Sequence, residues 1–146
     1  MLKTENQILI VGAGPTGLAL AAELKRRGVD AAMVDQQLAG ANTSRACVVH
    51  ARTMEELEPL GVTRALLLEG VKVPIFRIRA HVHSPAGGQG MNTGIQDSIS
   101  LAEALTRTLQ DGDETRLDAW AAQRHKVATD VVTLTDRMTR VATMKS

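Results

Sequence analysis

The sequence predicts an α/β fold in which a small, mainly parallel sheet is packed by helices and followed by a long C-terminal helix. Three observations carry that prediction. A β-branched run, Ile8-Leu9-Ile10-Val11, opens into a glycine loop and an amphipathic segment. A second short apolar run, Ala31-Ala32-Met33-Val34, ends at Asp35. The C-terminal stretch then repeats apolar positions every seven residues. At 146 residues the chain has the length of a single domain.

Composition narrows the classes further. Hydrophobic residues make up 44%, yet Phe76 and Trp120 are the only aromatic residues, so the core is one of Ala, Val, Leu and Ile. A net charge of +1 gives no general reason to expect a nucleic-acid or membrane partner. Cys47 alone excludes an internal disulfide framework and fits a reducing cytosol. Residues 1–6 carry an acid and lack the pattern of a secretory leader. No apolar run is long enough to span a bilayer, and the expectation is a soluble, cytoplasmic protein.

The first run reads as a strand buried on both faces. It leads into Gly12-Ala13-Gly14-Pro15-Thr16-Gly17, and a helix follows with Leu18, Ala21, Ala22 and Leu24 available for burial. Lys25, Arg26 and Arg27 fall in its last turn, where cations suit the dipole, and Gly28 stops it. With the second buried strand this is a βαβ unit, and its crossover is expected to be right-handed.

The spacing of that unit has a chemical meaning. Gly12 allows the tight turn, Gly14 lets a pyrophosphate approach the backbone, and Gly17 lets the helix pack closely on the strand. The helix N-terminus, with Pro15 and Thr16, offers N–H groups and a partial positive charge to phosphates. Asp35, 21 residues after Gly14, stands where an acid accepts hydrogen bonds from an adenosine ribose. The glycine pattern alone also describes a turn in any α/β protein. Strand before, helix after and acid at the next strand end favour a Rossmann-like dinucleotide site, without distinguishing FAD from NAD.

Two further segments separate those cofactors: Ser44 to Gly61, and His81 to Asp97, which contains Ser84-Pro85-Ala86-Gly87-Gly88-Gln89-Gly90-Met91-Asn92. With the βαβ unit they resemble the para-hydroxybenzoate hydroxylase type of flavoprotein monooxygenase, especially the bacterial polyketide, phenol and rifampicin hydroxylases. The resemblance covers nearly the whole chain. It implies a Rossmann-like FAD-binding domain in which Asp35 holds the adenosine ribose and Arg45 lies against the pyrophosphate or ribityl chain. It implies that Pro85, Gly87, Gly88 and Gly90 form the loop beside the isoalloxazine ring. The backbone N–H groups of Met91 and Asn92 would point at the pyrimidine end of the flavin. The residues agree with that role: Asn92 opens a helix in which Ile95, Ile99, Ala102, Leu105 and Leu109 recur at helical spacing. Its N-terminal dipole would stabilise negative charge on reduced flavin.

In complete relatives, the resemblance implies, NADPH reduces the flavin and an aromatic substrate is hydroxylated with oxygen. This chain departs from them. Arg77-Ile78-Arg79-Ala80 stands where the family has a Gly-Asp pair, and the family's internal Asp-Gly motif is missing. The junction of Ala80 with His81 joins the family's beginning to its later part. The chain then reads as one truncated FAD-binding domain, with an N-terminal βαβ part over 1–80 and a flavin-loop and helical part over 81–146. An excision, a natural remnant and a chain closed over further residues each produce such a junction. The alternative to a hydroxylase domain is a non-catalytic flavin scaffold or a helix-mediated assembly module.

Around the junction, Phe76, Ile78, Ala80 and Val82 alternate with Arg77, Arg79, His81 and His83, the pattern of a half-buried edge strand. His81 and His83 share a face, but with no third ligand nearby they read as a solvated face rather than a metal site. The last helix is expected to begin at Thr115 as N-cap, with Asp118 three residues on. Leu117, Arg124, Val131 and Met138 form one heptad series, and Trp120, Val127, Leu134 and Val141 the other. That face serves either packing on its own domain or self-association, and a homo-oligomer, most simply a dimer, is expected. Arg124, Arg52 and His50 are polar residues with no assigned catalytic role.

Overall fold

The structure is a computed structural model, and it describes residues 6–38, 48–70 and 89–143. The expected strand around Phe76 to Val82, with His81 and His83, lies outside the described residues, as do Arg45, Pro85, Gly87 and Gly88. The described part contains β1 (Leu9–Val11), α1 (Pro15–Arg26), β2 (Ala32–Val34), α2 (Ala51–Leu57), α3 (Thr63–Glu69), α4 (Gln89–Asp111) and α5 (Thr115–Thr143). A single 3-10 turn, Glu58–Leu60, joins α2 towards α3.

β1 and β2 pair in parallel with Leu9 opposite Ala32, Ile10 opposite Met33 and Val11 opposite Val34. The connection between them is α1, as a parallel pair requires. Pro15 takes the first helical position, where its missing N–H has no intrahelical acceptor to lose. Lys25 and Arg26 occupy the last turn, Arg27 is the C-cap, and Gly28 follows in the left-handed region at φ 78°.

The strands depart from the sequence expectation of burial on both faces. Ile10 is buried, whereas Leu9 is 61% and Val11 79% exposed. Only one face of β1 meets a helical layer among the described residues, so its pleat alternates between core and solvent. The buried face of α1 is also rotated from the expected one. Ala19, Glu23 and Leu24 are buried, Leu20 and Ala21 are half-buried, and Leu18 and Ala22 are exposed. Packing against α4 decides this. The close approach of Thr16, itself exposed, to Gly94 sets the helix so that Ala19, Leu20 and Glu23 turn inwards.

α4 is the central element of the core. Ala102, with Leu105 beside it, closes a cluster with Ile10 and Leu24, packed by Leu20 and Met33. Ile95, with Met91 and Ile99, closes a second cluster with Ala19 and Leu57. Leu24 is fully buried, and truncating such a residue to alanine costs about 2–5 kcal/mol. Glu23 is buried because Arg26 and Arg27 both bind its carboxylate, at 2.7 and 2.8 Å. The Arg26 guanidinium, with help from Arg27, holds the carboxyl below its ordinary range against the opposing effect of burial.

α5 packs its first half on α4. Leu117, Trp120, Arg124 and Val127 are half-buried; Trp120 Nε1 donates to Ser100 Oγ at 3.0 Å, and Arg124 forms an ion pair with Asp97. The first half of the heptad face therefore meets the chain's own domain. Thr115 is the first helical residue rather than the N-cap. The Asp113 carboxylate caps the helix by accepting the Thr115 N–H at 3.1 Å and its hydroxyl at 2.6 Å. An aspartate two residues upstream reaches the open N–H more readily than a hydroxyl already committed to it.

Candidate functional site: the glycine loop and the helix beside it

Gly12 to Gly17 lie at the C-terminal ends of β1 and β2, where open α/β sheets place their ligand crevices. Gly12 takes φ 107°, and its N–H donates to the Val34 carbonyl at 2.8 Å, so the turn leaves the sheet with its hydrogen bonding intact. The other two glycines have distinct roles. A Cβ on Gly17 would lie 2.0 Å from the Gly12 carbonyl oxygen, so Gly17 is required for the loop to close on the helix. A Cβ on Gly14 would meet nothing within 4 Å. Gly14 is the N-cap of α1 in extended backbone, with open space before it.

That open space faces the N-terminus of α1. Thr16 and Gly17 occupy the first turn, where backbone N–H groups lack intrahelical acceptors and the dipole is positive. Such a terminus suits a pyrophosphate. Asp35 stands beside it: its Oδ2 accepts the Ala13 N–H at 2.6 Å and its Oδ1 the Gln37 N–H at 2.7 Å. The Ala13 N–H, followed by that of Gln37, holds this exposed carboxyl below its ordinary range. An ionised, hydrogen-bond-accepting group is thus fixed next to the glycine loop. The Thr16 side chain is turned towards α4, where a Cβ on Gly94 would lie 2.5 Å from Thr16 Oγ1.

α4 brings the second predicted group to the same end of the fold. It begins at Gln89, three residues earlier than the expected start at Asn92. Gly90 consequently belongs to the first turn rather than to the preceding loop, and Met91 and Asn92 follow within that turn. A first-turn N–H needs no intrahelical partner, which lets Gly90 join the helix at little cost. The Asn92 side chain is directed away from solvent. It is 1% exposed, accepts the His50 N–H at 2.8 Å and donates to the Val48 carbonyl at 2.9 Å. Arg52, in α2, is ion-paired with Glu55 and Glu56.

The structure therefore gathers Gly12, Gly14, Pro15, Thr16, Gly17 and Asp35 around one loop, with Gly90, Met91 and Asn92 on the adjoining helix. An open cleft of about 720 Å³ runs from this loop along the exposed side of β1 to Leu101 and Leu105 of α4. Sequence reasoning missed Gly94, whose signal is a glycine inside a helical apolar pattern, and the buried Asn92 carboxamide, which leaves no local signal. Among the described residues there is no group of three or more His, Cys, Asp or Glu side chains arranged to hold a metal ion. No helix among them is long and apolar enough to cross a membrane.

A sequence model of the family described as "FAD binding domain" matches this chain over residues 5–80 and 79–135. The chain belongs to this FAD-binding family. FAD is its cofactor, and the loop fits that group: Gly14 leaves room for the pyrophosphate, α1 presents its N-terminus, and Asp35 supplies acceptors at the next strand end. The chain is 46% identical over 65 residues to pentachlorophenol 4-monooxygenase of Sphingobium chlorophenolicum, covering 44% of this chain and 12% of that protein. It is 40% identical over 81 residues to rifampicin monooxygenase of Rhodococcus hoagii, covering 56% and 17%. It is 31% identical over 120 residues to anhydrotetracycline monooxygenase of Streptomyces rimosus, covering 82% and 24%. The chain thus spans a quarter or less of each of these relatives. No solved structure matches it.

Proposed function

We propose that this chain is the Rossmann-like, FAD-holding domain of a flavin-dependent aromatic monooxygenase, that it binds FAD, and that it lacks the parts needed for efficient hydroxylation. The observation that carries the binding half is the unequal use of the two loop glycines. Gly17 is closed against Gly12, while Gly14 leaves the mouth of the α1 N-terminus open. The family match in two abutting stretches, and the small share of each relative that is covered, support the reading that the substrate-covering middle is absent.

The residues then act as follows. The first-turn N–H groups of α1 bind the pyrophosphate, and Asp35 orients the adenosine ribose. By the family resemblance, Arg45, Pro85, Gly87 and Gly88, which lie outside the described residues, would serve the flavin half of the cofactor. The N-terminus of α4, at Gly90 to Asn92, favours negative charge at the pyrimidine edge. FAD, when bound, supplies the electron-transfer and oxygen chemistry, which the protein orients and shields. By the family resemblance, NADPH and an aromatic compound would be the co-substrates of a full-length protein.

Titrating the protein with FAD tests this reading. Replacing Gly14 by valine should weaken binding by about tenfold or more, because a branched side chain fills the space before the helix terminus. Replacing Lys25, an exposed residue paired with Asp30, should leave binding unchanged. Equal binding by the Gly14 variant and the wild type would contradict the site.

A further inference from the structure

We propose that the free edge of β1 is a strand-accepting site, and that its occupant is this chain's own segment Phe76 to Val82, added parallel to β1. The inference is independent of the cofactor. In the β1–β2 pair, the Ile8 carbonyl accepts the Ala32 N–H at 2.9 Å and the Gly12 N–H donates to the Val34 carbonyl at 2.8 Å. Ile10 stands between these bonds, opposite Met33. Alternate residues of a strand direct their backbone groups to the same side, so those of Leu9 and Val11 face away from β2. No strand among the described residues pairs with that edge. An unpaired row of this kind is a template for another strand. The cleft of about 720 Å³ runs along it, and Leu20, Leu101 and Leu105 form its apolar wall.

The segment itself lies outside the described residues; its sequence and the described ends of the chain select it. Phe76, Ile78, Ala80 and Val82 alternate with Arg77, Arg79 and His81. Parallel strands are related by translation, so residues on the Ile10 face also share its backbone direction, towards β2. A third strand with its apolar set on that face therefore aims the N–H groups of Phe76, Ile78, Ala80 and Val82 at β1, and their side chains cover Leu101 and Leu105. Arg77 and Arg79 fall on the other face, where their aliphatic stems lie over the exposed Leu9 and Val11. The direction fits the chain. Near its start α4 packs Gly94 against Thr16, at the glycine-loop end of β1, so a segment leading into Gln89 finishes at that end. The link from Val82 to Gln89 reaches up to about 23 Å when extended. A tethered segment also competes at a higher effective concentration than a second copy. The two stretches that match the family model meet inside this segment, at 79–80, so its alternation belongs to this chain's own junction.

Amide hydrogen exchange on the full chain, followed residue by residue by NMR, tests this. The Leu9 and Val11 amides should exchange at least about tenfold more slowly than in an unstructured chain, at a rate that does not change with protein concentration. Ile78→Pro removes an N–H aimed at β1 and should release both amides, while Ile10 and Gly12, on the β2 side, stay protected. Arg79→Ala, on the other face, should release neither. In the wild type, nuclear Overhauser contacts should join the Leu9 and Val11 amides to the backbone of segment 76–82, and these decide the matter if Ile78→Pro unfolds the chain. Free exchange at Leu9 and Val11 beside a protected Ile10 would overturn the inference. So would protection that fades on dilution, which assigns the edge to a second copy. Protection that survives Ile78→Pro would overturn it as well, and would assign the edge to another segment.

Discussion

The backbone N–H of Ala13 donates to Asp35 Oδ2 at 2.6 Å, so the acid ending β2 is tied directly to the glycine loop that follows β1. The bond spans two strands, and it makes the loop's geometry depend on the charge of Asp35. The carboxyl is held below its ordinary range mainly by this N–H. Its stabilising effect is therefore complete above the unfolded-state value of about 3.9 and is lost as pH falls through the lower folded value. The amide resonance of Ala13 should follow that titration, with a midpoint below about 3.9. Asp35→Asn should abolish the titration and weaken FAD binding. An Ala13 amide indifferent to pH, or to that substitution, would show that the bond does not control the loop.

Gly17 and Gly14 should separate stability from binding. Gly17→Ala places a Cβ 2.0 Å from the Gly12 carbonyl oxygen, which backbone must move to relieve. It should lower stability by about 1–3 kcal/mol, as overpacking does. Gly14→Ala has open space and an extended backbone, so thermal unfolding should change little while FAD affinity falls. Melting curves and FAD titrations of both variants check the pair. The reverse pattern would exchange the roles assigned to the two glycines.

How far the sequence revealed the fold can be seen at these same residues. The turn at Gly12, the close packing at Gly17 and the place of Asp35 beside the loop were legible because one local spacing encodes them. The two strands and the helix between them were legible for the same reason. The burial of Glu23 and the exposure of Leu18 were not, because α4 chooses which face of α1 turns inwards. Nor was the Asn92 clamp, which joins residues 42 and 44 positions apart. The cap of α5 was misread by two residues: both Asp113 and Thr115 can cap, and only geometry distinguishes them.

If the substrate-covering middle is absent, reducing equivalents should be wasted. Leu9 and Val11 are exposed beside the glycine loop, with no covering layer among the described residues. A site open to water does not protect reactive oxygen chemistry. Any oxidation of NADPH should be slow and should return hydrogen peroxide, one per NADPH, with oxygen as the acceptor. Oxygen and peroxide electrodes, with product analysis by chromatography, measure the balance. Stoichiometric hydroxylation of a phenol would contradict this expectation.

Self-association is expected through the distal part of α5. Its proximal half is already used, with Trp120 on Ser100 and Arg124 on Asp97. The heptad pattern nevertheless continues in the sequence through Val131, Leu134 and Val141. A two-fold contact there would bury the same face on both copies. Sedimentation equilibrium should show a dimer, and Val131→Glu with Leu134→Glu should shift it to monomer. A wild-type monomer across micromolar concentrations would exclude the dimer. A dimer that survives both substitutions would move the interface to the exposed side of β1.

Cofactor choice tests the central claim most directly. Calorimetric titration of the purified, nucleotide-free chain with FAD, FMN and NAD should show saturable binding of FAD. FMN, which lacks the adenosine half that the proposal assigns to Gly14 and Asp35, and NAD, which lacks the flavin that it assigns to α4, should each bind at least about tenfold more weakly. Tighter binding of FMN or NAD, or no binding of any of the three, would contradict the account.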